Sequence, residues 1–184
     1  AQRSGTLPSD NRVTWRGDSA TGDGSNNGVD LEGGWYDAGD HVKFGLPLAF
    51  SVTCLAWGIV EFQDGYRTAG ELETALSQLK WASDWLMKAH VSDDEIWVQV
   101  GDGTEDHSWW GPPELLMDYF EYGTSTTSSH HSRPSYAVTD TNHGTDVVAE
   151  YAAALAACSI AFRSSEHFNS SYSSQLLDHA RALY

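Results

Sequence analysis

The chain has 184 residues, which is enough for one domain with a single sizeable hydrophobic core. Its 26 acidic side chains outnumber the 10 basic ones and give a formal net charge of −16. A field of this sign repels phosphate groups and anionic headgroups, so we expect neither a nucleic-acid partner nor a membrane surface. The apolar runs also look too short to predict a transmembrane helix.

The first predicted elements are a long loop and two helices. Residues 1–46 lack a helical period and are rich in Gly, Asp, Asn and Ser, which are typical of turns. One helix begins at Pro47 and ends at Asp64-Gly65, and a second spans roughly residues 69–90. Helical spacing predicts five inward side chains in the first helix, namely Leu48, Val52, Leu55, Ile59 and Phe62.

The second half of the chain predicts one strand and two more helices. Alternating apolar residues indicate an extended segment from Ile96 to Val100, followed by a Gly- and Trp-rich loop. A Ser/Thr-rich stretch at 118–132 is interpreted as an exposed insertion. The third helix runs from near Thr145 to before Ser164, and a fourth starts after Ser170. The inward side chains predicted for the third helix are Val147, Val148, Tyr151, Leu155 and Ile160.

Two cysteines, Cys54 and Cys158, lie in apolar, helix-like runs. Small secreted scaffolds that depend on disulfides carry more cysteines than this. We therefore favour two buried free thiols, while a single disulfide between them stays open.

The densest motif is the segment GGWYDAGDH at residues 33–41. Asp37 and Asp40 stand three residues apart among glycines, so both carboxylates can converge on one small volume. Two close carboxylates perturb each other's pKa and can hold a water between them, which is the chemistry of a general base. The alternative is an ordinary Asp/Gly turn closed by side-chain hydrogen bonds to the backbone.

A second motif combines a histidine with paired tryptophans. His107, Trp109 and Trp110 follow VQVGDG and precede Gly-Pro. Flat rings in polar surroundings can stack on the face of a pyranose while polar neighbours bond its hydroxyls. The alternative is a loop that covers the core with tryptophan.

Other chemistries lack their motifs. The chain has no His-Glu-x-x-His, no Cys-x-x-Cys and no Gly-x-Ser-x-Gly sequence. The segment that starts at Asp23 resembles a calcium loop, but Gly34 stands where the bidentate Glu is required. We therefore predict no metal ligand set within these residues.

Four segments resemble glycoside hydrolase family 9, which contains endoglucanases (cellulases). They are NRVTWRGDS at 11–19, GGWYDAGDHVKFG at 33–45, VQVGDG at 98–103 and HSWWGP at 107–112. The resemblance implies an all-α fold, a partial (α/α)6 barrel whose long Gly- and Trp-rich loops form a substrate cleft. Residues 1–184 would then be the N-terminal portion of one incomplete catalytic domain.

The resemblance also implies roles for named residues. Asp40 matches the family's general base, and Asp37 matches the aspartate that positions the attacking water. His107 and Trp110 match sugar-binding residues, with Tyr36 and Trp109 beside them. The implied reaction is secreted hydrolysis of internal β-1,4-glucosidic bonds with inversion, and the triplet that begins at Asn169 fits a glycan acceptor.

The family's general acid is a Glu that has no counterpart in these residues. Glu114 and Glu150 are nearby candidates, but neither matches its motif. We therefore expect the chain to need the remainder of its own catalytic domain and to be inactive alone. Alternatives are an inactive glucan-binding homologue, or a same-fold glycosidase acting on xylan or mixed-linkage glucan. The resemblance implies no cofactor and leaves calcium binding by the complete domain open.

Overall fold

The computed structural model describes residues 1–116, 133–164 and 170–184. The predicted insertion at 118–132 and the predicted glycan acceptor at Asn169 therefore lie outside the described residues. The described strands and α-helices, in chain order, are β1 (Lys43–Phe44), α1 (Gly45–Thr68), α2 (Leu72–Ala89), β2 (His90–Ser92), β3 (Glu95–Val100), α3 (Gly103–Asp106), β4 (Ser135–Thr139), α4 (Thr145–Arg163) and α5 (Ser170–Leu183).

The four long predicted helices are confirmed and pack as two hairpins. Helix α1 lies against α2 and α4, and α4 lies against α5. Their facing sides form one hydrophobic core with β3. Gly45 lets helix α1 lie very close to α4 and β3, because a Cβ at this position would overlap the Tyr151 hydroxyl and the Val98 carbonyl oxygen. Tyr151 itself is buried and donates a hydrogen bond to the carbonyl oxygen of Trp97 at 3.2 Å.

Three predicted inward residues are instead exposed. Leu55 and Phe62 lie on the flank of α1, and Ile160 lies on the outer side of α4. At 3.6 residues per turn, Leu55 and Phe62 stand roughly a sixth of a turn from the face that carries Val52 and Ile59. The predicted stripe was therefore too wide, and those two side chains extend the apolar surface beyond the core.

A small antiparallel sheet joins the hairpins, and only β3 of its strands was predicted. β4 pairs with β3 along its length, while β1 and β2 pair with opposite ends of β3. β1, β2 and β4 are short and lack a run of alternating apolar residues, which is why the sequence pattern does not reveal them. Because β1 and β3 are antiparallel, the residues before β1 and the residues after β3 lie at the same end of the sheet.

Two helices, α1 and α4, are long and apolar enough to cross a membrane by length and composition, contrary to the expectation from the apolar runs. Core helices of globular proteins pass the same test, and α1 and α4 pack against each other in the core described above. The absence of a membrane partner stays a prediction.

Both cysteines are free thiols, as favoured from the sequence, but only Cys158 is buried. Cys54 was expected to be buried and is instead exposed, because its position on α1 faces away from the core. Burial raises the pKa of the Cys158 thiol to about 12, so this thiol stays protonated and unreactive at neutral pH.

Candidate active site

Residues 37–42 form a tight turn that fixes the first aspartate pair. The Asp37 amide donates to the Val42 carbonyl oxygen at 2.9 Å, and the Asp40 amide donates to the Asp37 carbonyl oxygen at 2.9 Å. Ala38 takes a left-handed conformation (φ 40°), which non-glycine residues rarely adopt. The side-chain amide of Gln2 donates to the Ala38 carbonyl oxygen, so the N-terminal segment supports this unusual turn.

The second motif is positioned by the end of β3. Gly101 leaves the strand with φ 98°, a conformation that favours glycine. Asp102 then caps α3, since its Oδ1 accepts hydrogen bonds from the amides of Thr104 and Glu105 at 2.9 and 3.0 Å. One helical turn later, Asp106 and His107, in the second loop (residues 101–112), lie against the first loop (residues 37–42).

The two motifs meet at Asp40. Its Oδ2 lies 2.7 Å from His107 Nε2, and its Oδ1 accepts the Val42 amide at 3.0 Å. This turn therefore contains the aspartate–backbone bond of an ordinary Asp/Gly turn, and it also aims the carboxylate at a partner from a distant segment. The Asp40 side chain is 14% exposed to solvent, whereas the His107 side chain is 58% exposed.

The electrostatics differ between the two aspartates. Partial burial, followed by the nearby Asp40 charge, raises the pKa of Asp37 above its ordinary value. The hydrogen bond to Asp40, assisted by the charges of Asp40, Asp106 and Asp37, raises the pKa of His107. His107 therefore favours its protonated form, which donates to the Asp40 carboxylate.

The aromatic residues predicted to bind sugar occupy three different depths. Trp110 is 90% exposed and has its ring available to a ligand. Trp109 is half-buried, and its ring lies 5.3 Å from that of His41. Tyr36 is buried, and its hydroxyl donates to Ser19 Oγ at 2.9 Å, so its side chain lies beneath the site rather than on its surface.

Two residues of the site received no role from the sequence. The Asp106 Oδ1 accepts the backbone amide of His41 at 3.0 Å, and both side chains are buried. The His41 ring also contacts Tyr36 edge-on at 5.5 Å. Asp106 and His41 adjoin His107 and Asp40 in the chain, and this adjacency is the only sequence feature that indicates their involvement.

A buried ionic network lies beneath the first loop. Asp23 binds Lys43 Nζ at 2.7 Å and Arg133 Nε at 2.6 Å. Lys43 Nζ and the Trp85 indole nitrogen both donate to the Leu31 carbonyl oxygen. Burial lowers the pKa of Lys43 to about 8, while the two cations keep the pKa of Asp23 low despite its burial. Asp23, the start of the calcium-like segment, is thus engaged by protein cations.

Both alternative glutamates are engaged in hydrogen bonds within the protein. Glu114 Oε1 accepts from Arg16 Nε at 2.7 Å and from the Gly17 amide at 2.8 Å. Burial acts to raise the pKa of Glu114, but these two hydrogen bonds hold it below its ordinary value. Glu150 accepts the Thr53 hydroxyl at 2.8 Å. An acid must hold a proton before it donates one, and Glu114 is set to remain ionised.

Among the described residues, one group could hold a metal ion. Ligand atoms of Asp40, Asp106 and His107 lie within 4.8 Å of one another. Carboxylate and imidazole groups are metal ligands in general, but here each of the three is hydrogen-bonded within the site. The sequence-based expectation of no metal stays a prediction.

Comparison with known proteins identifies relatives along the whole chain. Glycosyl hydrolase family 9 matches residues 1–184. The chain is 48% identical to Endoglucanase A of Bacillus pumilus and 50% identical to Endoglucanase 7 of Oryza sativa subsp. japonica, each over 184 residues. It spans only 26% and 32% of the length of these two relatives.

Solved structures also match along nearly the whole chain. An endoglucanase from the termite Nasutitermes takasagoensis is 47% identical with a TM-score of 0.85, covering 99% of this chain and 38% of that one. The cellulase Cel9M of C. cellulolyticum is 36% identical with a TM-score of 0.85, covering 100% of this chain and 40% of that one. Cel9M has also been solved in complex with cellobiose. These likenesses confirm the predicted fold class, a helix-rich part of an (α/α)6 barrel.

Proposed function

Because this chain belongs to glycosyl hydrolase family 9, we propose that it forms part of an inverting endoglucanase. The proposed reaction is hydrolysis of internal β-1,4-glucosidic bonds in cellulose or a related β-glucan. One observation carries the assignment of the base: Asp40 has one carboxylate oxygen held by the Val42 amide and the other by His107. An aspartate held at both oxygens beside a second aspartate is arranged for proton transfer.

The proposed chemistry divides between Asp40 and Asp37. Asp40 accepts a proton from a water whose oxygen attacks the anomeric carbon. Asp37, whose pKa is raised, hydrogen-bonds to the same water and orients it. The bond between the anomeric carbon and the glycosidic oxygen breaks, and the departing oxygen takes a proton from a general acid. Attack from the face opposite the leaving group inverts the anomeric centre.

The aromatic residues support a glucan as the substrate. Trp110 projects from the loop that holds His107 and offers a flat apolar face to a pyranose ring. Trp109 packs on His41 and steadies the base of that loop. Tyr36 then contributes indirectly, by supporting the first loop through its bond to Ser19.

We propose that the general acid comes from the remainder of the same catalytic domain. The described residues leave large apolar side chains exposed on both flanks of α1, among them Leu46, Phe50, Leu55, Trp57 and Phe62. A helix that is apolar on nearly all sides is usually buried on all sides. A groove of about 660 Å³ between α4 and α5 is likewise lined mainly by apolar residues. Further helices would cover both surfaces.

We also propose that the protein is secreted. Its substrate class is an extracellular polymer, and the net charge of −16 favours solubility in dilute fluid. Tagging the complete protein and comparing the cell pellet with the culture medium tests this. Retention in the pellet would contradict it.

The decisive test follows the stereochemistry of the product. The complete catalytic domain is incubated with cellopentaose, and the first-formed anomer is observed by proton NMR. We expect prompt release of the α-anomer, and none from an Asp40→Ala variant that still binds the oligosaccharide. Prompt release of the β-anomer would contradict the single-displacement mechanism.

The same assay separates the alternatives. Binding without cleavage by the unaltered domain would favour an inactive glucan-binding homologue. Faster cleavage of soluble xylan or mixed-linkage glucan than of cello-oligosaccharides would change the substrate but keep the mechanism.

A further inference from the structure

Asp106 is a buried carboxylate whose bonding is incomplete. It is only 2% exposed, and its Oδ1 accepts the His41 amide at 3.0 Å. Its Oδ2 has no hydrogen-bond partner among the described residues and lies 3.7 Å from His41 Nδ1. Burying a carboxylate is costly unless neighbours compensate its charge. A nonpolar residue would fill this position at lower cost if filling space were its only task.

The compensation comes from residues that lie far apart in the chain. The positive charge of Arg133 interacts with Asp106, and the same guanidinium is anchored by Asp23. His41 cannot supply a full positive charge at neutral pH, because burial lowers its pKa even though Asp106 acts to raise it. The buried network beneath the first loop therefore supplies the positive charge that acts on Asp106.

The position of Asp106 gives it a consequence for the active site. Asp106 and His107 are neighbours in the second loop, and Asp40 and His41 are neighbours in the first. The loops are thus joined twice, by a buried bond from Asp106 to the His41 amide and by an exposed bond from His107 to Asp40. The buried bond fixes the backbone on both sides of the exposed one.

We infer that Asp106 is a positioning residue for the general base, which it keeps aligned with His107 and Asp37 by holding the backbone of His41. This inference rests on the function proposed above. Misplacement of a reacting group by about 1 Å can cost ~10²-fold in rate. Asp106 touches no substrate atom in this scheme, so its effect should fall on the rate of the chemical step rather than on substrate affinity.

Two variants of the complete catalytic domain test the inference. Asp106→Ala removes the bond to the His41 amide, and Asp106→Asn keeps an oxygen that can accept it. We expect Asp106→Ala to lower kcat roughly 10- to 100-fold with KM changed less than about twofold. The limb of the pH–rate profile that reports the base should also shift. Asp106→Asn should retain most of the activity of the unaltered domain. Asp94→Asn, at an exposed turn, should leave kcat and KM unchanged.

Amide hydrogen exchange at His41 gives a readout that does not depend on activity. The amide should exchange faster in Asp106→Ala than in Asp106→Asn, while core amides of α4 remain protected in both. Unchanged kcat and pH profile in Asp106→Ala would overturn the inference. Equal impairment in both variants would also overturn it, since the lost charge and not the His41 bond would then matter.

An Asp40→Asn variant separates this inference from the proposed function. Full activity in Asp40→Asn would refute the proposed function. Full activity in both Asp106 variants beside an inactive Asp40→Asn would refute only the positioning role.

Discussion

Two paired histidines lie toward opposite ends of strand β3, one in the neighbouring strand β2 and one after α3, and the pairs have opposite character. Beyond Val100, His107 faces the carboxylate of Asp40, and its pKa is raised. Before Ile96, His90 Nδ1 lies 2.9 Å from His179 Nδ1, and burial lowers the pKa of both histidines. The pKa of a histidine is thus raised by a carboxylate partner at one end of the sheet and lowered by burial at the other.

The support beneath the two ends differs as well. The end that bears His107 rests on the buried Asp23–Lys43–Arg133 network, which fixes charge at neutral pH. At the opposite end, two neutral imidazoles join β2 to α5, with the Asp178 and Asp93 carboxylates near them. The first end is therefore built to orient a charged group, whereas the second is a contact that acid can weaken.

The largest expected effect comes from removing Asp40, the proposed base, at the charged end. Asp40→Asn in the complete catalytic domain should lower kcat by roughly 10²- to 10⁴-fold, because general-base catalysis typically contributes that much. Initial rates on a soluble cello-oligosaccharide measure it. Asp94→Asn is the matched control, and a loss of similar size in that control would contradict the proposed role of Asp40 as the general base.

The next effect concerns the buried network. Lys43→Met leaves Asp23 buried with one cation fewer, and breaking a buried ion pair from one side costs about 3–5 kcal/mol. Denaturant unfolding of the complete domain measures the loss. Lys80→Met removes an exposed pair with Asp84 and should cost at most about 1 kcal/mol. Equal losses in the two variants would show that the buried network stabilises the fold no more than an exposed ion pair does.

A smaller effect is expected from the exposed ring of Trp110. Trp110→Ala should weaken glucan binding by about 0.5–1.5 kcal/mol, the usual worth of an aromatic stacking contact. Calorimetric titration with cellotetraose into an Asp40→Ala background measures affinity without turnover. Trp110→Phe keeps a flat ring and should retain most of the affinity; if it binds as weakly as the alanine variant, stacking is not the contact.

The contrast between the histidines can be measured directly. NMR titration should place the pKa of His107 above its ordinary value of 6.5, and Asp40→Asn should return it toward that value. A raised pKa means that the bond to Asp40 is strongest below pH 6.5 and is lost as pH rises through the folded-state pKa. An unchanged midpoint in Asp40→Asn would contradict the pairing.

The smallest effect is expected at the opposite end. Because the pKa values of His90 and His179 are lowered by folding, the folded state binds fewer protons, and stability should fall as pH drops below the unfolded value of 6.5. Thermal unfolding of the complete domain between pH 7 and pH 5 follows this. His179→Gln keeps a hydrogen-bonding side chain without the titration and should flatten part of the pH dependence; an identical slope would refute the contribution of the pair.

The helices and the aspartate pair could be predicted from the sequence because their causes are local. A helix buries a face that repeats every 3.6 residues, and that period is visible around Val52 and Leu155. Asp37 and Asp40 lie within one glycine-rich turn, so their proximity follows from spacing alone. The exposure of Leu55 and Phe62 does not follow, because it depends on how far the neighbouring helices extend around α1.

The amino-acid sequence by itself determined the fold class, the family and the two segments that carry the chemistry. The tertiary structure alone decided which residues of those segments meet: His107 with Asp40, Asp106 with the His41 amide, and Arg133 with Asp23. These pairs are separated by 65 to 110 residues in the chain. Contacts at such separations depend on the pairing of β3 with its neighbouring strands and the packing of the helices, which no local pattern encodes.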